Sequence, residues 1–171
     1  SAASDVYKRQ LLGPLRHRFT ALERAKEQGI GHYFVPRYTR VVDTVESKDN
    51  INKAYNLIST SKVRNEMIVD DVITCITRKQ TPVILTRFKE HAKFLYDALK
   101  GKADHVFLLY GDNSDKENTE IRGRLKQVPG SESLVLVATG QKIGEGFDFP
   151  RLDVLMLAAP VSFEGRLEQY V

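Results

Sequence analysis

The residues best suited to chemistry lie in the stretch LVLVATGQKIGEGFDFPRLDVLMLAAP, from Leu134 to Pro160. A run of apolar residues delivers one hydroxyl, Thr139, and Gly140, Gly144 and Gly146 follow it. Glycine has no Cβ, so the backbone amides around it can approach an anion closely. A hydroxyl beside bare amides suits a phosphate. Asp148 comes at the end of this loop. A carboxylate there can accept hydrogen bonds from a sugar hydroxyl or hold an arginine. Lys142, within the loop, reads as a phosphate contact or as a surface charge. Thr86 and Arg87 end an earlier apolar run, and Arg87 has the same two readings.

Each of these groups also has a plainer role open to it. The spacing G-x-x-x-G-x-G is not the dinucleotide fingerprint G-x-G-x-x-G, and it follows a late strand rather than the first. The glycines alone would also fit a tight strand-to-helix turn that holds no ligand. Asp148 can cap a turn before Pro150. Glu145 would repel a polyanion, which favours an ion pair or a structural role. His17, His32, His91 and His105 are scattered without ligand spacing, so no metal site is expected. Cys75 falls on an apolar helical face and reads as core rather than as a nucleophile. Arg122, Arg124 and Lys126 share a helical segment with Glu120, the pattern of a solvated face.

The elements that must position these residues alternate along the chain. Two helical patterns occupy Asn50 to Arg78, with Ile51, Ala54 and Ile58 on one face and Ile68, Val72, Cys75 and Ile76 on another. Strands are then predicted over 82–86, 105–110, 134–138 and 154–158, and helices over 88–99, 116–127 and from about Glu164. The stripe Phe88, Ala92, Leu95 and Leu99 keeps the helical period. Short, continuously apolar strands separated by helices predict an α/β fold: a doubly wound, mostly parallel sheet with helices on both faces. In such folds ligands gather beyond the carboxyl ends of the strands. The places to search are therefore 86–87, 111–112, 139–146 and 159–162.

The N-terminal part reads differently. The opening SAASDVYKRQ has no apolar period, and its DVYKRQ portion looks like a translated sequencing adapter, so residues 1–10 are set aside as an adapter-derived or disordered tail. Residues 11–45 read as a connector, with a capping-box spacing from Thr20 to Glu23 ahead of a short helix. Tyr33 to Val42 alternates as a strand would, although Pro36 demotes it to an edge or interrupted one. Residues 46–171 form the principal domain.

With 171 residues, the chain is long enough for one domain with a normal core. Its 42% hydrophobic and 28% charged residues exclude collagen-like, disordered and membrane-spanning classes. The lone cysteine cannot form an internal disulfide and no secretory pattern opens the chain, so a cytoplasmic location is expected. The net charge of +4 is weak support for a polyanionic partner.

Against this background ATGQKIGEGFDFPRLDVLMLAAP resembles motif V of superfamily-two helicases, in the form found in DEAD/DEAH-type restriction-system and repair translocases. PVILTRFKEHAKFLYDAL, from Pro82 to Leu99, resembles their motif IV, and Gln169-Tyr170-Val171 resembles the opening of motif VI. The resemblance covers most of the chain from Pro82 onward, in the family's order. It implies a C-terminal, RecA-like helicase domain truncated just before the motif VI arginines.

Lys142 apart, the roles below are implied by the resemblance alone. Thr139 would contact the backbone of a nucleic-acid strand with Gly140 beside it, and Thr86 and Arg87 would belong to the same grip, to which Lys142 is added on its own reading as a phosphate contact. Gly146, Asp148 and Gln169 would reach ATP across a cleft between two RecA-like domains, the aspartate at the ribose. Magnesium and the phosphates would be held by a first domain outside this chain. The sequence contains no G-x-x-x-x-G-K-[ST] and no catalytic residue is assigned. The parent protein is thus expected to be an ATP-dependent helicase acting on nucleic acid, DNA by preference, while this chain alone would not hydrolyse ATP or hold the nucleotide. A RecA-like module that binds nucleic acid or protein without hydrolysis is the alternative.

Overall fold

A computed structural model describes residues 33, 35–39, 51–110, 113–139 and 149–159. From Arg37 onward these belong to one compact unit, Arg37–Arg166. In chain order they form helices α1 (Ile51–Thr60) and α2 (Lys62–Thr77), strand β1 (Pro82–Thr86), helix α3 (Lys89–Leu99), strand β2 (His105–Leu109), helix α4 (Asp115–Gln127) and strands β3 (Leu134–Thr139) and β4 (Val154–Leu157). The four strands make one sheet in the order β2-β3-β1-β4, and every neighbouring pair is parallel.

The apolar runs PVILT and LVLVAT become the two central strands because both of their faces are covered; every residue in them is buried. One face packs against α2 and α3, where Ile68, Val72, Ala92, Leu95 and Leu99 meet Ile84, Val135 and Val137. The alternate residues Val83, Leu85, Leu134 and Leu136 are buried on the opposite face. There Leu125 of α4 is buried, and the Arg124 guanidinium sits 5.4 Å from the centre of the Phe107 ring. Helices thus cover both faces of the sheet, and the expected doubly wound α/β class is the observed one.

Local chemistry sets the boundaries. Ser114 and Glu117 form a capping box that starts α4 at Asp115, one residue earlier than the pattern suggests. At the end of α2 the Lys79 backbone takes φ 60, and the Gln80 amide donates to the Cys75 carbonyl at 2.9 Å. This is the left-handed helix termination that usually selects glycine. Phe88 caps α3 with an extended backbone and so stands outside the helix. β3 runs on to Thr139, β2 stops at Leu109, and β4 stops at Leu157.

The strand expected over Tyr33 to Val42 is not seen among its described residues, 33 and 35–39, which carry no ladder. Tyr33, Val35 and Tyr38 are exposed, so the alternation there buries no face. Pro36 has no N–H to donate to a ladder. Cys75 is half-buried rather than core, and burial followed by the fields of Asp71 and Asp153 pushes its thiol pKa up, away from the reactive thiolate. The helix from Glu164, the short helix after Thr20 and the turn at 111–112 lie outside the described residues.

Candidate nucleic-acid interface

The carboxyl ends of the central strands bring two predicted residues side by side. Thr86 and Thr139 are register partners at the tips of β1 and β3, on chains about 4.8 Å apart. Side chains alternate along a strand. Thr86 therefore faces the same way as Ile84, and Thr139 the same way as Val137, towards the layer of α2 and α3.

The two hydroxyls differ in what they can offer a ligand. Thr86 is fully buried, and its Oγ1 lies 3.0 Å from Nδ1 of His91. His91, 3% exposed, presents Nε2 to Oδ1 of Asn65 at 2.9 Å, while Nδ2 of Asn65 donates to the Ser59 carbonyl at 2.9 Å. A carbonyl only accepts, so the Asn65 amide is fixed with its nitrogen towards Ser59. Oδ1 must then accept from an Nε2–H. The neutral ring is left with a bare Nδ1 that accepts the Thr86 proton, and Thr86 Oγ1 in turn accepts the Phe88 N–H at 3.4 Å. Burial, with a smaller push from the positive charge of Arg64, lowers the His91 pKa to about 4, so the ring is neutral at physiological pH.

Thr139 is 3% exposed, and among the described residues its Oγ1 has no hydrogen-bond partner. Buried hydroxyls are nearly always paired, and an unpaired one costs about 1–3 kcal/mol.

Arg87, immediately after β1, is exposed, and its guanidinium lies 5.6 Å from the centre of the Tyr55 ring. Tyr55 also meets Phe88, centroid to centroid at 5.7 Å and tilted by 55°. The arginine is thereby supported from α1 while its charge stays in water. On the other side of β1, Arg64 donates to the Ala158 carbonyl just past β4, and the Ala158 amide donates to Leu85 O at 2.7 Å.

Gly140, Lys142, Gly146, Asp148 and Gln169 lie outside the described residues, as do Gly144 and Glu145. Among the described residues no group of histidines, cysteines and acids is placed to hold a metal ion, and no helix is long and apolar enough to cross a membrane.

Sequence reasoning passed over Asn65, Tyr55 and Arg64, and read His91 only as one of four scattered histidines. His91 had a signal: it falls between Phe88 and Leu95 at helical spacing, on the stripe that becomes the buried face. Asn65 is an isolated polar position with no comparable pattern.

No protein-family model matches the chain. Over 160 residues it is 26% identical to the transcript termination protein A18 of Yaba-like disease virus, covering 87% of this chain and 32% of that protein. It is 30% identical over 109 residues to the A18 protein of Fowlpox virus (strain NVSL), covering 62% and 22%. The chain spans about a third or less of the length of the curated relatives it matches. In structure it resembles T4 UvsW, with a TM-score of 0.56 at 20% identity over 66% of this chain and 22% of that one. The fold is RecA-like. It is of the kind found in the C-terminal domains of helicases, and at this identity the likeness to UvsW is one of fold.

Proposed function

We propose that the chain is the second motor domain of an ATP-dependent superfamily-two helicase or translocase, and that the tips of β1 and β3 grip the backbone of a nucleic-acid strand. The observation that supports this most is the Thr139 hydroxyl, buried without a partner among the described residues at a strand tip beside Thr86 and near an exposed arginine. Backbone contacts of this kind position a strand without reading its sequence, as a moving motor requires.

In this reading Thr139 bonds a phosphate oxygen with Gly140 beside it, while Arg87 and Lys142 supply positive charge. The Thr86 hydroxyl is committed to His91, so Thr86 contributes by fixing the tip rather than by touching the strand. Gly146, Asp148 and Gln169 would face ATP, with Asp148 holding the ribose and a first RecA-like domain holding the phosphates and magnesium. Closing and opening of the two domains would then move the grip along the strand. The relatives' name favours a parent that works on a transcribed template, with DNA as the track, over the restriction or repair role that the sequence resemblance implied. We place that work in the cytoplasm.

The test is twofold. A labelled single-stranded oligonucleotide should bind this chain, more weakly after Arg87→Ala, while the chain alone should show no ATPase. In the full-length parent, Asp148→Ala should lower ATPase and spare nucleotide-free strand binding, and Thr139→Ala should abolish stimulation by the strand. An ATPase unchanged by Asp148→Ala would remove the nucleotide role. Tight strand binding by a parent with no ATPase at all would favour a non-enzymatic module.

A further inference from the structure

We infer that His91 is a positioning residue for the strand grip, fixing the tip of β1 through Thr86 and anchored in turn by Asn65 of α2. The inference rests on the strand-gripping reading above. It is carried by an unbroken run of hydrogen bonds with one direction: Phe88 N–H to Thr86 Oγ1, Thr86 O–H to His91 Nδ1, His91 Nε2–H to Asn65 Oδ1, and Asn65 Nδ2–H to Ser59 O.

Each member needs the next. The Thr86 oxygen accepts the Phe88 amide and must send its own proton elsewhere, and among the described residues the acceptor it meets is the His91 ring. His91 is buried on the face of α3 that also carries Ala92, Leu95 and Leu99, a position leucine could fill, yet three polar side chains from β1, α3 and α2 meet there. A purely apolar contact would hold β1 against the helices equally well. What the polar chain adds is direction: it fixes the peptide between Arg87 and Phe88. Arg87 is steered from its other side by Tyr55. The exposed guanidinium thus rests on α1 while the His91 chain fixes the backbone just after Arg87, and Thr139 lies one strand away from the Thr86 end of that chain. Tethering of this kind lets an arginine meet a phosphate with less loss of freedom on binding.

The test uses this chain as it is. Nitrogen NMR of the wild type reads the His91 tautomer: a proton on Nε2 is required, and one on Nδ1 overturns the scheme. His91→Phe removes both ring contacts. It should speed hydrogen exchange of the Phe88 amide by about tenfold or more and weaken binding of a fluorescein-labelled single-stranded oligonucleotide by about tenfold. The double variant with Arg87→Ala should bind no more weakly than Arg87→Ala alone, because the two act as a unit. Unchanged Phe88 exchange overturns the positioning role, and faster exchange with unchanged affinity overturns its bearing on the strand. If the wild type does not bind the oligonucleotide, the strand-gripping reading itself fails, while Phe88 exchange still decides whether His91 positions the tip. Should His91→Phe not fold, Asn65→Leu removes only the ring's far partner and carries the same two expectations and the same overturning results.

Discussion

Asp153 and Thr81 bind each other twice, 72 positions apart in the chain: Asp153 Oδ1 accepts the Thr81 amide at 2.6 Å, and the Asp153 amide donates to Thr81 O at 3.3 Å. The pair sits at the start of β1 and β4, at the opposite end of the sheet from the candidate grip, and sets the register Pro82 to Val154. Asp153→Ala leaves the buried Thr81 amide without its partner. The variant should lose about 1–2 kcal/mol, read as a lower denaturant midpoint, with no change in strand affinity because the two ends of the sheet are separate.

Thr139→Val should do the reverse. The change keeps the side chain's shape and removes a buried hydroxyl that has no partner among the described residues. Stability should rise by about 1 kcal/mol while oligonucleotide affinity falls. A valine variant that binds as well as the wild type would remove Thr139 from the interface.

Acid should destabilise the fold through His91. Its pKa falls from 6.5 to about 4 on folding, because the ring is buried between α2, α3 and β1 and faces Arg64 from α2. Between those values the unfolded chain binds the proton and the folded one does not, so stability drops as pH falls from about 6.5 to about 4. The loss approaches about 3 kcal/mol at the lower end. Urea midpoints measured across that range check it, and Asn65→Leu, which leaves the ring buried and removes the acceptor, should keep the slope.

Lys79→Gly should stabilise. Lys79 is exposed and holds φ 60, a conformation that costs a side-chain-bearing residue about 1 kcal/mol and costs glycine nothing sterically. The gain, about 0.5–1 kcal/mol, should appear in the thermal midpoint and leave strand binding untouched.

Much of this architecture is legible in the sequence because its strands are short apolar runs separated by helical patterns, although the edge strands HVFLL and VLML are only half-buried. PVILT and LVLVAT read as strands of a parallel sheet and the stripe from Phe88 to Leu99 as a helix packed on it, but which strands are central could not be read from the runs themselves. The segment after Tyr33 alternates just as well but buries nothing, since periodicity reports what a segment could do and not whether a partner exists. At the candidate site, Thr139 and Thr86 were legible from their place at the strand ends. The difference between them was not. It depends on Asn65, a residue 21 positions before Thr86 whose amide fixes the His91 ring, and a hydrogen bond across that distance leaves no spacing to read.

The strand order β2-β3-β1-β4 also sets a timetable for assembly. β1 leaves the ribosome first of the four strands, but both of its ladder partners are made later, and its entry clasp is closed by Asp153 near the far end of the sheet. Until β3 and β4 arrive, a strand that ends fully buried has two unpaired edges. A nascent chain held up in that interval would present them to any extended segment nearby. Local helices can form early, but the β1 tip acquires its shape only when β3 and β4 close around it, so the candidate interface should mature later than the helices that precede it.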